Sequence, residues 1–595
     1  MDPGWSAADR TWRRWDRVVW VVRKRGLAGA ARKAGRLLAR ALGRPEPGAG
    51  RDAGERYRLW IARRAPSPWA AAADRIRARR LAPRPRISLL CQASSGDAPA
   101  LASSLASLRA QVYGDWELIL ALRDGVAPER EAALLGPAGP GGRVRIARPA
   151  AGAGPSGALA RAAAAAAGDL VAVLDAGDRL PAGALLRVAA AFAADPELDL
   201  LYTDEDRLDA RGRRADPFFK PDWSPELALS ANYLGRLCVA RRAVAAEAGA
   251  FGGDGGGGED YDLALRVAER ARRVAHVPEI LCHRGGAAPP GRERGEEAAL
   301  AAALARRGIG GSVEAQGAGR FRVRHALRGS PLVTVVVPTR DGVDLLRTCI
   351  AGVLGRSSYR NLEVLVVDNR SERPETLEYL RSLPAPHRVL PHPDAFNWSA
   401  INNRAAREAR GDHLIFLNND TEVVSPDWVE AMLGHAQQDG VGAVGARLLY
   451  PDGTVQHAGV VVGIGGFADH AFRHFPAAEP GHGNLALLAR NCSAVTGACM
   501  MVPRAVFERM GGFDERFGVA FNDVDFCLRL GEAGLRVVYT PHAVLFHHES
   551  ASRGPLHPRS EYVRIRRRWG RVLARGDPYY NPNLTIDRLD YGVDL

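Results

Sequence analysis

An internal repeat of about 260 residues constrains the fold of this chain more than any other feature of its sequence. The segment GEDYDLALRVAE (258–269) matches FNDVDFCLRLGE (521–532), and in both places a strand pattern and a histidine follow. A repeat of this length is too long for a solenoid, whose units span about 20–50 residues. The sequence therefore predicts two copies of one domain.

Each copy alternates short apolar runs with helical patterns. The predicted strands cover 87–91, 116–122 and 170–175 in the first copy, and 333–338, 362–368 and 413–420 in the second. Apolar runs of this length that alternate with helices indicate βαβ units and a mainly parallel sheet. We therefore predict an α/β fold for both copies.

Composition and pattern divide the 595 residues into five regions. Residues 1–83 are basic and helix-prone, 84–290 and 331–560 are the two α/β domains, 291–330 link them, and 561–595 form a basic tail. The linker carries an Ala-rich helical pattern and a strand pattern at FRVRHAL.

The net charge of +14 at pH 7 has several explanations. A solvated surface accounts for it, and so does contact with an anionic membrane, an anionic substrate or nucleic acid. No zinc finger, RNA-binding signature or basic groove with interleaved aromatic residues is visible. We therefore expect no nucleic-acid partner.

The N-terminal region alternates tryptophan with arginine and lysine between residues 5 and 20. The stretch AARKAGRLLARALGR (30–44) then places apolar residues at helical spacing with a cationic remainder. Such a helix can lie on an anionic membrane or pack on the protein's own domain, and both interpretations stay open. The basic tail EYVRIRRRWGRVL (561–573) supports the membrane interpretation as well.

Seven scattered cysteines without a CxxC pair argue against a disulfide framework and against a zinc site. We expect buried thiols in a reducing cytoplasm. Neither a secretory signal nor a run of about 18 apolar residues is visible. The predicted location is the cytoplasm, with peripheral contact at the inner face of the cytoplasmic membrane as an extension of it.

Polar residues follow the predicted strands of the second copy. Asp368 and Asp420 fall at carboxyl ends of strands, the edge where open α/β sheets bind ligands. A carboxylate such as Asp420 suits a hard divalent cation, although a turn or helix cap explains the same residue. His547 and His548 follow a later strand and offer imidazole ligands, or they are ordinary surface or core histidines.

Asp523 lies near the start of a predicted helix, where an N-cap aspartate needs no function. The functional interpretation is a general base within reach of an acceptor hydroxyl. Local desolvation or a neighbouring carboxylate such as Asp525 would have to tune its pKa for that task.

Taken together, these motifs resemble the family 2 glycosyltransferases. The resemblance covers about Leu332 to Arg553 and rests on VTVVVPTRDG, LEVLVVDNRS, FNWSAINNRAAREARGDHLIFLNNDTEV, GGFDERF, NDVDFCLR and FHHESASRG. Within the family, the chain is most similar to rhamnosyltransferase-type enzymes of bacterial surface-polysaccharide synthesis.

The resemblance implies two tandem GT-A domains, the Rossmann-like fold of nucleotide-diphospho-sugar transferases, with a basic helical N-terminal extension. It implies transfer of a sugar from a nucleotide-sugar donor to a hydroxyl of a lipid-linked or polysaccharide acceptor, with inversion. A divalent cation, Mn²⁺ or Mg²⁺, is the implied cofactor.

The resemblance also assigns roles to matching residues. Asp523 would be the general base, and Asp420 with His547 or His548 would bind the metal. The donor would contact Thr339, Asp368, Asn403, Asn418 and Asn419, and the acceptor would lie beside residues 511–514. The sequence departs from the family pattern at Asn418, which replaces the first Asp of DXD, and at Asn522, which replaces the Glu of ED.

The first copy resembles the family from about Arg86 to Gly285, and the match assigns Asp260 as its base and Asp175, Asp178 and His283 as its metal site. It departs at Gly177, where an Asp is expected, at Cys91, and at 122–124, which lacks the nucleoside-contacting Asp. This copy is either a second active site or a scaffold that positions the acceptor.

Two other functions are compatible with parts of the sequence. One is a non-catalytic carbohydrate-binding scaffold built from two transferase-like domains. The other is a nucleotidyltransferase, which would need a Gly-rich phosphate loop, whereas PTRDG contains a single glycine.

Overall fold

The computed structural model describes residues 52–122, 142–148, 157–251, 257–286, 291–548 and 558–595. The tryptophan-rich start, the amphipathic stretch 30–44 and residues 123–124 lie outside the described residues.

The first half folds around a mixed sheet. Its strands are β1 Ile87–Ala93, β2 Trp116–Leu122, β3 Val144–Ala147, β4 Leu170–Val173, β5 Leu198–Leu208, β6 Arg214–Phe218, β7 Val239–Arg241 and β8 Arg273–Arg284. The spatial order is β3-β2-β1-β4-β7-β5-β6, with β8 paired to β5. Strands β1 to β4 are parallel, and β7 is antiparallel to both of its neighbours.

A hairpin separates the two halves, and the second half repeats the sheet. The hairpin is β9 Gly311–Ala315 and β10 Phe321–His325; the second sheet contains β11 Val333–Thr339, β12 Leu362–Asp368, β13 Arg388–Pro391, β14 His413–Leu417, β15 Thr421–Val423, β16 Val441–Leu449, β17 Val455–His457, β20 Arg490–Asn491, β21 Cys499–Pro503 and β22 Arg536–His547. A separate pair is β18 Val460–Val462 and β19 Ala468–His470. The order β13-β12-β11-β14-β21-β16-β22-β15 matches that of the first sheet strand for strand from β3 to β5.

Helices pack on both sheets and between them. They are Ala53–Arg63, Pro68–Arg80, Ala98–Arg109, Ala158–Ala165, Ala184–Ala194, Pro225–Ala228, Arg242–Glu247, Glu259–Ala268, Arg292–Arg306, Val343–Ala351, Pro374–Arg381, Trp398–Glu408, Trp428–Ala436, Arg504–Arg509, Asn522–Glu532 and Arg559–Arg575. The α/β fold predicted for both copies is confirmed, although antiparallel strands make each sheet mixed rather than mainly parallel.

The same buried hydrogen-bond network pins the first strands of both sheets. In the first half, Ser88 donates to Glu117 at 2.6 Å and accepts from the Gly168 amide at 2.9 Å. In the second half, Thr334 donates to Glu363 at 2.7 Å and accepts from the Gly411 amide at 2.9 Å. Because each network joins three segments that are distant in sequence, it shows that the repeat extends to side-chain detail.

Both glycines of this network are required by close backbone approach. A Cβ at Gly168 would lie 2.6 Å from the Arg86 carbonyl oxygen, and one at Gly411 would lie 2.6 Å from the Thr334 nitrogen. The chain can therefore reach the start of β4 or β14 only if this position lacks a side chain.

The two halves are packed against each other through buried polar contacts. Ser224 Oγ donates to Asn491 Oδ1 at 2.8 Å, and Arg536 Nε donates to Glu226 at 2.9 Å. Phe218 lies so close to Gly483 that a Cβ there would meet its ring at 2.1 Å. These contacts fix the second half on the first.

The C-terminal strap, residues 577–595, crosses from the second half to the first. The Asn581 side-chain nitrogen lies 2.9 Å from Asp204 Oδ2 and 2.9 Å from the Lys220 carbonyl oxygen. Tyr591 stacks on Phe472 with ring centroids 4.3 Å apart. The basic tail therefore packs on the protein as part of its folded body.

The cysteines are buried, as the sequence predicts. All seven cysteines are buried and unpaired with one another. No helix in the described ranges is long and apolar enough to cross a membrane.

Replacing Asn581 with alanine should destabilise the contact between the halves. The change leaves buried acceptors on Asp204 without this donor, which costs about 1–3 kcal/mol. We expect a lower midpoint of thermal unfolding, measured by calorimetry, whereas Asp439→Ala, at a fully exposed side chain, should leave the midpoint unchanged. Equal midpoints for the two variants would contradict a stabilising role for the strap.

Candidate functional site

The carboxyl ends of β11, β12 and β14 meet at one edge of the second sheet. Thr339 and Asp368 are register partners at the ends of β11 and β12. Asn419 Nδ2, just after β14, donates to Thr339 Oγ1 at 3.0 Å. Asp368 Oδ1 accepts from the Ser371 amide at 3.0 Å, which turns the loop after β12 back over the edge. The structure thus brings these three predicted donor-site residues together.

Asp420 and His547 meet at the same edge, 127 residues apart in sequence. Thr421 in β15 pairs with His547 in β22, and the His548 amide donates to the Asp420 carbonyl oxygen at 2.9 Å. His547 Nε2 lies 3.1 Å from Asp420 Oδ1, and both side chains are less than one-tenth exposed. His548 contributes its backbone here, so His547 is the imidazole beside Asp420.

Hydrogen bonds set the tautomer of His547. Its Nδ1 lies 2.7 Å from Gln456 Oε1, an acceptor, so Nδ1 carries the proton. Its Nε2 lies 3.2 Å from Asn418 Nδ2. Held this way, the ring turns Nε2 toward Asp420, and in the neutral imidazole that nitrogen can serve as a ligand.

This pair fits a divalent cation. Asp420 Oδ1 is buried and accepts no hydrogen bond from the described residues, and it faces a second acceptor, His547 Nε2. Two adjacent ligands of an octahedral cation at about 2.1 Å are about 3.0 Å apart, close to the 3.1 Å observed. In the described ranges, no cluster of three or more His, Cys, Asp or Glu side chains could hold a metal alone. Diphosphate oxygens and water would therefore complete the coordination, as hard cations commonly require.

Asp523 lies at the start of the helix Asn522–Glu532 and joins the same edge through the backbone. Its Oδ2 accepts from the Gly497 amide at 2.9 Å, and its Oδ1 accepts from its neighbour's amide at 2.8 Å. The next carbonyl, that of Ala498, accepts from the Asn418 amide at 3.0 Å. The backbone of Gly497 and Ala498 therefore connects Asp523 by hydrogen bonds to Asn418, which lies beside His547.

Gly497 is needed for this approach. A Cβ on it would lie 2.8 Å from the Trp398 ring and 3.6 Å from Asp523 Cβ. Asp523 itself remains only partly buried.

Asp525 does not tune Asp523, contrary to the expectation from sequence. Its carboxylate is fully buried, accepts from Trp569 Nε1 at 2.8 Å and pairs with Arg529 at 3.0 Å. Residues two apart on a helix point to different faces, which is the physical reason. Asp525 instead anchors the helix Arg559–Arg575.

Asn403 is committed to a loop of the protein itself. Its Nδ2 donates to the Phe513 carbonyl oxygen at 2.8 Å, and its Oδ1 accepts from the Phe513 amide at 2.8 Å. These bonds hold the Gly511–Asp514 segment in place. The donor contact predicted for Asn403 stays a prediction, and the observed bonds indicate a positioning role.

The corresponding edge of the first sheet has different chemistry. Asp175, Asp178 and Asp260 do converge, as predicted, but around the guanidinium of Arg236. His283 does not join them, because its Nδ1 lies 2.7 Å from Asp206 Oδ1. The predicted metal cluster thus contains an arginine, and its histidine contacts a different carboxylate.

The strand register explains the position of His283. Register partners can be traced across the first sheet from β4 through β7 and β5 to β8. The equivalent trace in the second sheet runs from β14 through β21 and β16 to β22. The two traces place Arg284 at the position of His547. The sequence agrees, because the alignment of 258–269 with 521–532, continued without a gap, sets Arg284 opposite His547 and His283 opposite Phe546. Neighbouring residues of a strand point to opposite faces of the sheet, so His283 and His547 face different sides.

Three functional residues escaped sequence reasoning: Gln456, Gly497 and Arg236. Gln456 lies in β17, a three-residue strand with no motif of its own. Arg236 could have been found by aligning LCVARRAV (237–244) with CMMVPRAV (499–506), which sets Arg236 opposite Ala498.

Comparison with known families identifies both halves. The Glycosyl transferase family 2 model matches residues 95–243 and 334–511, more than half of the chain.

Two relatives and one solved structure are similar to the chain. It is 42% identical over 559 residues to the O-antigen biosynthesis protein RfbC of Myxococcus xanthus, a match covering 90% of this chain and 43% of that protein. It is 38% identical over 538 residues to the uncharacterized protein y4gI of Sinorhizobium fredii, covering 86% and 59%. The chain thus spans less than two thirds of either relative. A mannosyltransferase of Pyrobaculum calidifontis in complex with GDP-Man and Mn²⁺ matches 42% of this chain and 65% of its own at 19% identity, with a TM-score of 0.29.

Proposed function

The chain belongs to glycosyl transferase family 2, and on that premise we propose that its second half transfers a sugar from a nucleotide-sugar donor to an acceptor hydroxyl. The observation that carries this proposal is the buried Asp420–His547 pair, two side chains of metal-ligating type whose facing atoms lie 3.1 Å apart. When bound there, Mn²⁺ or Mg²⁺ supplies electrostatic stabilisation for a leaving nucleoside diphosphate.

Asp523 is the proposed general base. It takes the proton of the acceptor hydroxyl while the hydroxyl oxygen forms a bond to the anomeric carbon. The bond between that carbon and the diphosphate oxygen breaks, and the diphosphate leaves with the electron pair. Attack from the face opposite the leaving group inverts the configuration. Two backbone amides orient the Asp523 carboxylate for this step.

The donor site combines Thr339, Asp368, Asn418 and Asn419 at the ends of β11, β12 and β14. The contact between Asn419 and Thr339 and the strand register support this grouping, since both hold the side chains at one edge. Similarity to RfbC supports a role in the synthesis of O-antigen or a related surface polysaccharide. The acceptor is then a lipid-linked or polysaccharide chain, and the reaction takes place at the cytoplasmic face of the membrane.

The helix Arg559–Arg575 is the proposed contact with an anionic membrane. Its apolar face, which includes Tyr562, Ile565, Trp569 and Leu573, is buried in the protein. A groove beside its outer face is lined by Arg516, Arg559, Ser560, Val563, Arg564, Arg567 and Arg568. This contact would therefore be electrostatic and would not involve insertion of the helix.

Asp523→Asn should lower turnover by about 10²–10⁴-fold, the usual contribution of a general base. The variant should bind a nucleoside diphosphate with Mn²⁺ as the wild type does, measured by calorimetry. Asp439→Asn is the matched control at an exposed site and should keep full turnover. Normal product formation by Asp523→Asn would refute the base assignment.

Asp420→Asn should remove the cation while preserving the shape of the side chain. We expect Mn²⁺ to raise the unfolding temperature of the wild type in the presence of a nucleoside diphosphate, because ligands of the native state stabilise it. The variant should lose this rise and all detectable transfer. An unchanged rise would show that the cation binds elsewhere.

Liposomes with anionic lipid should pull the protein down at low salt and release it at high salt, because salt screens surface charge. Replacing Arg567 and Arg571 together by alanine should weaken binding by about tenfold or more, at about 1 kcal/mol per arginine. Equal binding to neutral liposomes, or no effect of the double variant, would contradict the membrane contact.

A further inference from the structure

Arg236 is buried at the centre of the three carboxylates of the first sheet's edge. Its side chain is only 4% exposed. Its Nη1 lies 2.5 Å from Asp260 Oδ2, its Nη2 pairs with Asp175, and its Nε lies 3.8 Å from Asp178 Oδ2. One guanidinium thus contacts the residues that sequence analysis assigned to a base and a metal site.

The position of Arg236 is occupied by a small side chain in the second sheet. In β7, Arg241 pairs with Leu170 of β4, and in β21, Pro503 pairs with His413 of β14. Counting five residues back from each partner sets Arg236 at the position of Ala498. At this position, the edge of the first sheet therefore carries a guanidinium and the edge of the second sheet carries a methyl group.

A second arginine closes the first edge. Arg292, at the start of the helix Arg292–Arg306, donates to Asp260 Oδ2 at 2.9 Å, and Asn232 Nδ2 lies 3.2 Å from the same oxygen. With Arg236, three donors converge on that oxygen. Asp523, at the corresponding position of the second half, accepts only backbone amides in the described contacts.

Arg284 adds a further positive charge where the second half has His547. Its Nη1 lies 3.0 Å from Glu205, which also pairs with Lys220. A guanidinium has no lone pair to offer a metal and stays protonated at all physiological pH values. The position of the imidazole ligand is therefore occupied by a group that repels a cation.

From these contacts we infer that Arg236 replaces the divalent cation in the first half, which takes no metal and transfers no sugar. The chain then carries one cation and one catalytic centre, both in the second half. This inference rests on the proposed function for the second half and extends it to the other copy. The first half serves as the scaffold on which the second half is packed.

The state of Asp260 agrees with this assignment. Burial alone would raise the pKa of Asp260, but Arg236 and Arg292 lower it to about 2. A carboxylate that binds a proton so weakly is a poor general base at neutral pH.

The decisive measurement is the number of Mn²⁺ ions per chain, counted by calorimetry or electron paramagnetic resonance with a saturating nucleoside diphosphate. Wild type should bind one, and Asp420→Asn none. Arg236→Ala places at the first edge the same side chain as Ala498, and this variant should bind a second ion. The second ion should remain bound when Asp420→Asn is added to Arg236→Ala.

Arg236→Ala removes the arginine from Asp175 and Asp178 and leaves Asp260 with Arg292 and Asn232, so the variant should unfold at a lower temperature than the wild type and regain stability with Mn²⁺. If it fails to fold, the count on Asp175→Asn decides, and it should stay at one. Two ions in the wild type, or an ion lost in Asp175→Asn but kept in Asp420→Asn, would overturn the inference and leave the second site intact. No ion in wild type would instead overturn the cation of the proposed function.

A matched pair of variants tests turnover. Asp260→Asn and Asp523→Asn make the same change at corresponding positions, and only Asp523→Asn should lose transfer. A comparable loss in both, with both variants folded by circular dichroism, would show that the first half is catalytic.

Discussion

Buried carboxylates at the edge of each sheet require a positively charged partner. The two halves of the molecule differ in how that partner is supplied. An isolated buried carboxylate is too costly to keep ionised. The second half pairs Asp420 with the imidazole of His547 and leaves one buried carboxylate oxygen without a hydrogen bond from the described residues, an arrangement that the proposed cation would complete. The first half supplies its positive partners from within the fold, as Arg236 and Arg292. The same sheet thus yields one edge that needs a ligand and one that is complete without it.

The scaffold below these edges is the same in both halves. Glu117 with Ser88 and Glu363 with Thr334 form equivalent networks, each closed by a glycine amide. These networks lie at the opposite end of the strands from the ligand edge. The two sheets can therefore share the same strand alignment and still differ in chemistry at the ligand edge. The network and the ligand edge lie on the same strands but use different side chains.

Much of the fold could be predicted from the sequence. Apolar runs found the main strands of both sheets because buried parallel strands are nearly continuous in hydrophobic residues. Asp420 and His547 could be grouped because each follows a strand, and strand ends converge at an edge. The short strands β17 and β20 were missed, since two or three residues carry no periodicity.

The remaining errors have local causes. His283 was matched to His547, but the repeat continued without a gap sets His283 opposite Phe546, and its side chain contacts Asp206. Asp525 is close to Asp523 in sequence and on another face in space. Arg236 was given no role, because a local alignment sets it opposite Ala498 but does not reveal its approach to Asp260, which depends on tertiary packing.

The strap is synthesised after both sheets, so its contacts with the first half form late. Asp204 in β5 meets Asn581 only after 377 further residues have been synthesised. At about 5–20 residues per second, that is roughly 20–75 s on the ribosome. During this interval, the nascent first half exposes the buried surface that the strap will cover. Such a surface is a natural target for chaperones, and slowing translation between the two halves would lengthen its exposure.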